Sequence, residues 1–515
     1  MGTMPQPARR KGLVARNSIL NLLGQVLPML AGVATIPYIV RGLGTNGYGI
    51  LSIAWMLLGY FSMFDLGLSR ATTKFVAQHL NPAEAHRLPG LIWTALALQL
   101  VMGTVGALLC APLVPVAINH FFKMPANWVG EARTSLFILC GSLPVLLVNN
   151  ALRGVLEAAQ RFDLSNYVKV PASISFYLMA AVAIPFGIRV SGIVMLLVVC
   201  RLAATAAYFV LCLRVFPQLT NGFSISREAI RPLAAYGGWV TVSNTAGPIF
   251  GYLERFIIAS VSSVGMLTFY SAPFELVSRV VIFPASVTAA LFPVFSYHGT
   301  QEGAVVSEMT SRTVKYLLFV MTPITAVFVF FARQILQLWL GPQFAGQSTV
   351  VLQLLAISFF VSAFAYIPYT SVQALGRPDL KAVLDIVALP AYAMYAWWLT
   401  KHLGISGAAF AKLLSAVIDA AFLFLFARKL GAFSVKAYIS GPLLRALLAS
   451  LGMIVAVSVV GACHPAIPFA VLLLGVCFVG YAAAFWVMAV DSNDKFAIKA
   501  LSRQLLARGQ TLSLR

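Results

Sequence analysis

The sequence predicts an all-α integral membrane protein with about fourteen transmembrane helices. Three observations carry this. The 515-residue chain is 60% hydrophobic and only 10% charged, with a mean hydropathy of +0.88. Soluble domains carry roughly 45–50% apolar and about 25% charged residues, so lipid as solvent is the simple explanation. The apolar residues also fall in runs of roughly twenty, the length that crosses the hydrocarbon core as a helix. Finally, the net charge of +21 is scattered as single basic residues between those runs. That is the pattern of cytoplasmic loops under the positive-inside rule, and it argues against a nucleic-acid surface.

The expected spans are 17–40, 48–68, 91–118, 133–156, 168–188, 192–213, 234–262, 268–292, 314–338, 349–371, 381–400, 406–427, 442–461 and 466–490. The first follows Arg9, Arg10, Lys11 and Arg16 and has no convincing cleavage site, so it reads as an uncleaved helix. Pro112 and Pro115 are expected to kink the third. With both termini in the cytoplasm, inner segments hold 26 Lys and Arg and outer segments hold 6: Arg41, Lys123, Arg133, Arg189, Arg333 and Lys401. The outer segments are short, the longest being 119–132, so the work must be done by helices.

An internal repeat is visible. Arg161-x-Asp163-Leu164 matches Arg377-x-Asp379-Leu380 at an offset of 216, and each is followed by a Ser-Gly turn, at Ser191-Gly192 and Ser406-Gly407. Two six-helix lobes in the same orientation are expected, at 1–220 and 221–432. Two further helices and a basic tail follow at 433–515. Parallel repeats with a site at their interface are a transporter design.

Ionisable groups within spans are costly and are functional candidates. Those found are Asp65, Glu157, Arg201, Glu254, Arg255, Glu275, Arg279, Asp385, Lys412 and Asp419. Glu275 and Arg279 are spaced i,i+4 and share a helix face, and spans seven and eight form a hairpin that brings Glu254 and Arg255 to similar depth. Two readings stand side by side: a charge network that pins the hairpin, and a cationic cavity that receives an anionic group. Arginine suits phosphate, because its planar fork binds two oxygens and stays charged. Arg41 and Arg70 fit either a site or a topology anchor. Asn149, Asn150 and Asn244 fit a cavity lining or interhelical hydrogen bonds. Trp55, Tyr60, Trp239, Tyr252, Tyr270, Trp397 and Trp398 fit sugar stacking or the interfacial belt. The six cysteines show no CxxC pair and the six histidines no ligand pattern, so no metal or cofactor is expected. No GxSxG, Walker or metal-triad motif is present, so neither an enzyme nor direct ATP drive is expected.

Several segments carry a resemblance. Tyr38 to Gln78, with its Arg41-x-Leu43-Gly44 turn, Tyr48-Gly49 pair and Asp65-Leu66-Gly67-Leu68, resembles the opening of the polysaccharide transporter family. That family contains the O-antigen flippases of the multidrug/oligosaccharidyl-lipid/polysaccharide (MATE-like) exporter superfamily. Tyr252 to Ser260, Phe269 to Ser296, Ala374 to Ile386 and Leu403 to Ser415 are similar to its later motifs, so the likeness spans roughly residues 15 to 430. It implies two lobes around a central cavity. The cargo would be an undecaprenyl-diphosphate-linked oligosaccharide, moved from the inner to the outer leaflet of a bacterial inner membrane by alternating access. It further implies that Arg255, Arg279, Arg201 and Arg41 meet the diphosphate or acidic sugars. Glu254, Glu275 and Asp419 would couple to an ion (H+ or Na+) or to the membrane potential, with Lys412 and Asp65 in the charge network. Other polysaccharide-assembly membrane proteins are candidate partners. A multidrug cation antiporter or a lipid II flippase of the same fold are alternatives. A glycan polymerase or ligase, which would carry a sizeable outer loop, and a scaffold fit less well.

Overall fold

The computed structural model describes residues 7–81, 85–298, 303–431, 441–463 and 466–491. Nearly all of them are helical, and no strand occurs among them. The basic tail beyond residue 491 lies outside the described residues, as do the side chains of Trp239 and Asn244. Helix is what lipid demands, because a spanning segment must satisfy its own backbone donors and acceptors.

The long helices are α1 (Pro7–Phe61), α2 (Leu68–Gln78), α3 (Leu88–Cys110), α4 (Ala126–Ala158), α5 (Phe162–Ala183), α6 (Val190–Val215), α7 (Arg227–Val261) and α8 (Val264–Ser278). They continue with α9 (Ile282–His298), α10 (Gly303–Phe330), α11 (Ala332–Trp339), α12 (Pro342–Ala374), α13 (Pro378–Lys429), α14 (Pro442–Ala462) and α15 (Ile467–Met488). Eleven stretches of the described residues are long and apolar enough to cross a membrane. Each of the fourteen expected spans coincides with a helix, a half of a kinked helix, or a helix with its adjoining turns. Helices α1 and α13 are broken from within at Gly44 (φ 69°, ψ 177°) and Gly404 (φ 61°, ψ −142°). A side chain would disfavour either conformation, so glycine sets both bends.

Four expected spans depart from a single α-helix; the ninth (314–338) is divided at Phe331, between α10 and α11. Helix α3 stops at Cys110, followed by Pro112 and a one-turn helix over Leu113–Val116. The eighth span tightens through a 3-10 turn over Arg279–Val281 between α8 and α9 while its backbone stays helical. Pro284 explains that tightening, since it has no N–H to give the Val280 carbonyl and its ring crowds that carbonyl. The second span ends at Phe61; the chain then turns through Leu66 (φ 44°) and Gly67 (φ 68°) into α2.

The chain packs as two compact units: Met1–Leu276 with Ala382–Ala411, and Val277–Lys381 with Lys412–Arg515. Within the first, α4 lies against α3 and α6, α1 against α5, and α2 against α4 and α7. Its core joins Leu68, Ile92, Leu152, Val155, Leu156 and Tyr208. Within the second, α10 packs on α12 and α14, and α14 on α15. Leu317, Met321, Met453, Val457 and Phe485 form that core. The last two helices are tied in further by Lys315, 4% exposed, whose Nζ lies 3.4 Å from Asp491. The outer faces of α14 and α15 stay apolar and bare: Val476 is 63%, Val479 67% and Val487 74% exposed. In water such a surface would aggregate, whereas in lipid it is solvated.

The repeat seen in the sequence returns as a repeated conformation. At the end of α4, the N–H groups of Ala159, Gln160 and Arg161 donate to the carbonyls of Val155, Glu157 and Leu156. At the end of α12, those of Leu375, Gly376 and Arg377 donate to Ser371, Gln373 and Val372. The arginine then grips the aspartate two residues on in both copies: Arg161 Nε to Asp163 Oδ1 at 3.0 Å, and Arg377 Nε to Asp379 Oδ1 at 3.0 Å. The left-handed position is Gly376 (φ 79°) in one copy and Gln160 (φ 57°) in the other. A β-carbon there costs about 1–2 kcal/mol. Gln160→Gly is therefore expected to stabilise the protein by up to about 1 kcal/mol, once the greater freedom of unfolded glycine is subtracted. Thermal melting of the detergent-solubilised protein checks this; an unchanged or lower midpoint refutes it.

Candidate functional site

The first unit contains a buried polar cluster in its apolar interior. Helix α7 supplies Tyr252, Glu254 and Arg255, and α8 supplies Tyr270, Ser271, Phe274 and Glu275. Tyr48, Ser52, Trp55 and Tyr60 come from α1, Tyr177 from α5 and Tyr392 from α13. The turn between α7 and α8 is only two residues long, so the helices return side by side and their polar residues meet.

Arg255 is the centre. It is 2% exposed, and its Nη2 lies 3.1 Å from Glu275 Oε1. Its guanidinium carbon sits 4.4 Å from the Phe274 ring centroid and 5.4 Å from that of Tyr252, so two aromatic faces hold the cation. Tyr177 Oη lies 3.5 Å from Glu275 Oε2. Glu254, 1% exposed, accepts a hydrogen bond from the Tyr392 hydroxyl. Trp55 packs against Phe176 and Tyr177, and Tyr60 against Tyr252. Among the described residues, Tyr48 Oη, Ser52 Oγ, Trp55 Nε1, Arg255 Nε, Tyr270 Oη and Ser271 Oγ are buried without a hydrogen-bond partner. Each such group costs roughly 1–3 kcal/mol, so their concentration in one place makes the cluster a candidate site.

The sequence-derived residues separate into groups. Arg255, Glu254 and Glu275 come together as described. Arg279 follows Glu275 by one turn, at the start of the 3-10 turn that continues α8, and falls in the second unit. Arg201 lies mid-way along α6 and makes no ion pair among the described residues; its neighbours Thr205 and Asn149 hydrogen-bond to one another at 2.9 Å. Arg41 is exposed, three residues before the Gly44 bend. Asp419, in the second unit, accepts from Lys381 Nζ at 2.7 Å. Lys412, also in α13, receives the Ser358 hydroxyl on its backbone carbonyl.

Asp65 has a structural task. Its carboxylate accepts the Ser69 N–H at 3.3 Å, the Ser69 hydroxyl, and Gln99 Nε2 at 2.5 Å. It thereby holds the Leu66-Gly67 turn and the start of α2, as a capping side chain does. Asp65→Ala is expected to cost about 1–2 kcal/mol in stability. An unchanged melting midpoint would contradict this.

Tyr177 and Tyr392 are site residues that sequence reasoning passes over. A signal was available: both lie in mid-span, away from the helix ends where belt aromatics sit.

The helical fold matches those of solved membrane proteins. The structure resembles an inward-facing multidrug MATE transporter of the MOP superfamily (TM-score 0.66, 16% identity, 82% of this chain and 98% of that one). It also resembles the lipid II flippase MurJ in an inward closed conformation (TM-score 0.67, 12% identity, 92% and 99%). These likenesses establish a multi-pass membrane protein of the MATE and MurJ fold. Residues 14–298 match the family described as polysaccharide biosynthesis proteins, and the chain belongs to that family. A Shigella flexneri protein that carries the name of an O-antigen transporter is 26% identical over 416 residues, covering 79% of this chain and 96% of its own length. EpsK of Bacillus subtilis strain 168, an uncharacterized membrane protein, is 23% identical over 451 residues, covering 82% and 85%.

Proposed function

We propose that the protein transports a polysaccharide precursor across the bacterial inner membrane, with both termini in the cytoplasm. The cargo is an oligosaccharide on undecaprenyl diphosphate, carried from the inner to the outer leaflet by alternating access between lobes 1–220 and 221–432. The observation that carries the reading is the Arg255 cluster. A guanidinium buried among aromatic rings, with Nε unspent and donors from Tyr48, Tyr270 and Trp55 beside it, suits a phosphate oxygen at the point where the sugar is passed. Arg279, Arg201 and Arg41 extend the cationic route. Glu254 and Glu275 are the coupling carboxylates, answering to an ion gradient or the membrane potential, and Asp419 with Lys412 forms the network in the second unit.

A cell lacking the protein should accumulate its lipid-linked oligosaccharide on the inner leaflet, and the intact gene should clear it. No accumulation in the deletion would reject the proposal.

One observation favours a second reading. The cluster brings two carboxylates, Glu254 and Glu275, to the neighbourhood of Arg255. A cation antiporter of the same fold would use such carboxylates. It predicts proton- or sodium-driven efflux of cationic dyes from vesicles, with no oligosaccharide accumulating in the deletion.

A further inference from the structure

The first unit has a second polar concavity, away from the Arg255 cluster. It measures about 430 Å3, within the range of small-molecule sites. The start of α4 supplies Asn127, Trp128 and Glu131; the turn from α5 to α6 supplies Ile184 and Arg189; Leu43 comes from α1. Arg41, Arg133 and Arg189 belong to the segments that the loop charges place on the outer side.

Its chemistry is specific in what it refuses. Arg189 Nη1 lies 3.5 Å from Glu131 Oε1, and Glu131 Oε2 accepts the Ser191 N–H at 3.1 Å. These are the charged groups of the lining and they sum to zero, so the concavity has no net preference for an anion or a cation. A lipid tail would leave the carboxylate, guanidinium and amide edges facing hydrocarbon. Asn127 is exposed, and its side-chain amide makes no hydrogen bond among the described residues. Trp128 is half-buried and wedged against Gly47, where an added β-carbon would stand 3.1 Å from its Cη2. The lining therefore offers an indole, a spare amide with both donor and acceptor, and a neutral ion pair at a solvent-facing rim, where Arg189 is 80% exposed.

We propose that this concavity is a saccharide-binding subsite on the outer face. It takes an uncharged mono- or disaccharide unit, with the C–H face of a pyranose on Trp128 and hydroxyls on Asn127, Glu131 and Arg189. Assigning the ring to the glycan that has just crossed rests on the transport reading above; the subsite's taste for sugar does not.

The test uses the full-length protein in zwitterionic, sugar-free detergent, because glucoside and maltoside detergents would compete. Free N-acetylglucosamine, galactose, rhamnose and a disaccharide are titrated by saturation-transfer NMR, with inorganic pyrophosphate as the anion control. Saturable binding of at least one saccharide is expected. Trp128→Ala should weaken it at least tenfold, Asn127→Ala should weaken it severalfold, and Trp128→Phe should largely keep it. Melting and gel filtration verify that each variant is folded. No saturable saccharide binding by the parent, or unchanged affinity in folded Trp128→Ala, overturns the proposal. Should Trp128→Ala not fold, unchanged affinity in Asn127→Ala overturns it. If saccharide binds as stated while the deletion strain accumulates no lipid-linked oligosaccharide, the subsite stands and the transport reading falls. The opposite pair of results removes the subsite alone.

Discussion

Replacing Arg255 with Ala is expected to abolish glycan export. The change should also reduce the amount of protein, because Glu275 keeps its buried charge and loses the guanidinium 3.1 Å away. Breaking a buried ion pair on one side costs roughly 3–5 kcal/mol, a large part of a protein's stability. The functional and structural losses are separated by the paired variant Arg255→Met, Glu275→Gln, which removes both charges at similar volume. Such replacements are often neutral for stability. The paired variant should therefore reach near-normal abundance and still not export. Export is read from the surface polysaccharide and abundance from immunoblotting of membranes. Normal export by an abundant paired variant would show that the pair merely pins α7 to α8.

Gly49→Ala should damage the protein by a different route. An added β-carbon would stand 2.1 Å from the Val264 carbonyl oxygen and 2.8 Å from Val264 Cγ1. The carbonyl belongs to the backbone at the start of α8, so no side-chain rotation relieves it. That backbone is also held on other sides. The Thr268 hydroxyl donates to the Thr45 carbonyl at 2.6 Å. Lys123 clasps the α7–α8 turn twice, its N–H donating to Ala259 O at 3.0 Å and its carbonyl accepting the Val264 N–H at 2.9 Å. Overpacking a tight contact costs about 1–3 kcal/mol, and a contact among fixed backbones belongs at the upper end. Melting should fall by several degrees, and export with it, since Tyr48 of the buried cluster is the preceding residue. Adding Val264→Gly should not rescue the variant, because the closer clash is with the carbonyl. Rescue would place the strain in the side chain and refute the backbone account.

Much of this was readable from residues alone, and the boundary has a physical reason. Hydropathy reports burial in lipid, so the helices appear where apolar runs predict them. The turn after α4 and α12 is local chemistry written twice, and Arg161–Asp163 reproduces Arg377–Asp379 in detail. The Arg255–Glu275 contact follows from helix period plus a short hairpin. Asp65 looks like a deep charge but is bound by Ser69 and by Gln99, thirty-four residues away; such a partner leaves no trace in spacing. Asp419 and Lys381 likewise meet only in the folded chain. The Trp128 concavity is assembled from three short segments, none of which has a pattern of its own.

The bend at Gly44 has a mechanical consequence. Between the two halves of α1 there is no loop, only one non-helical residue. A single residue reaches at most about 3.8 Å, less than the 5.4 Å of one helical turn. The two rods can therefore change their angle, but neither can ratchet past the other by a full turn. Any rearrangement of this pair must be rotation about a fixed pivot, and Tyr48 and Trp55 on the second rod would swing as one rigid piece.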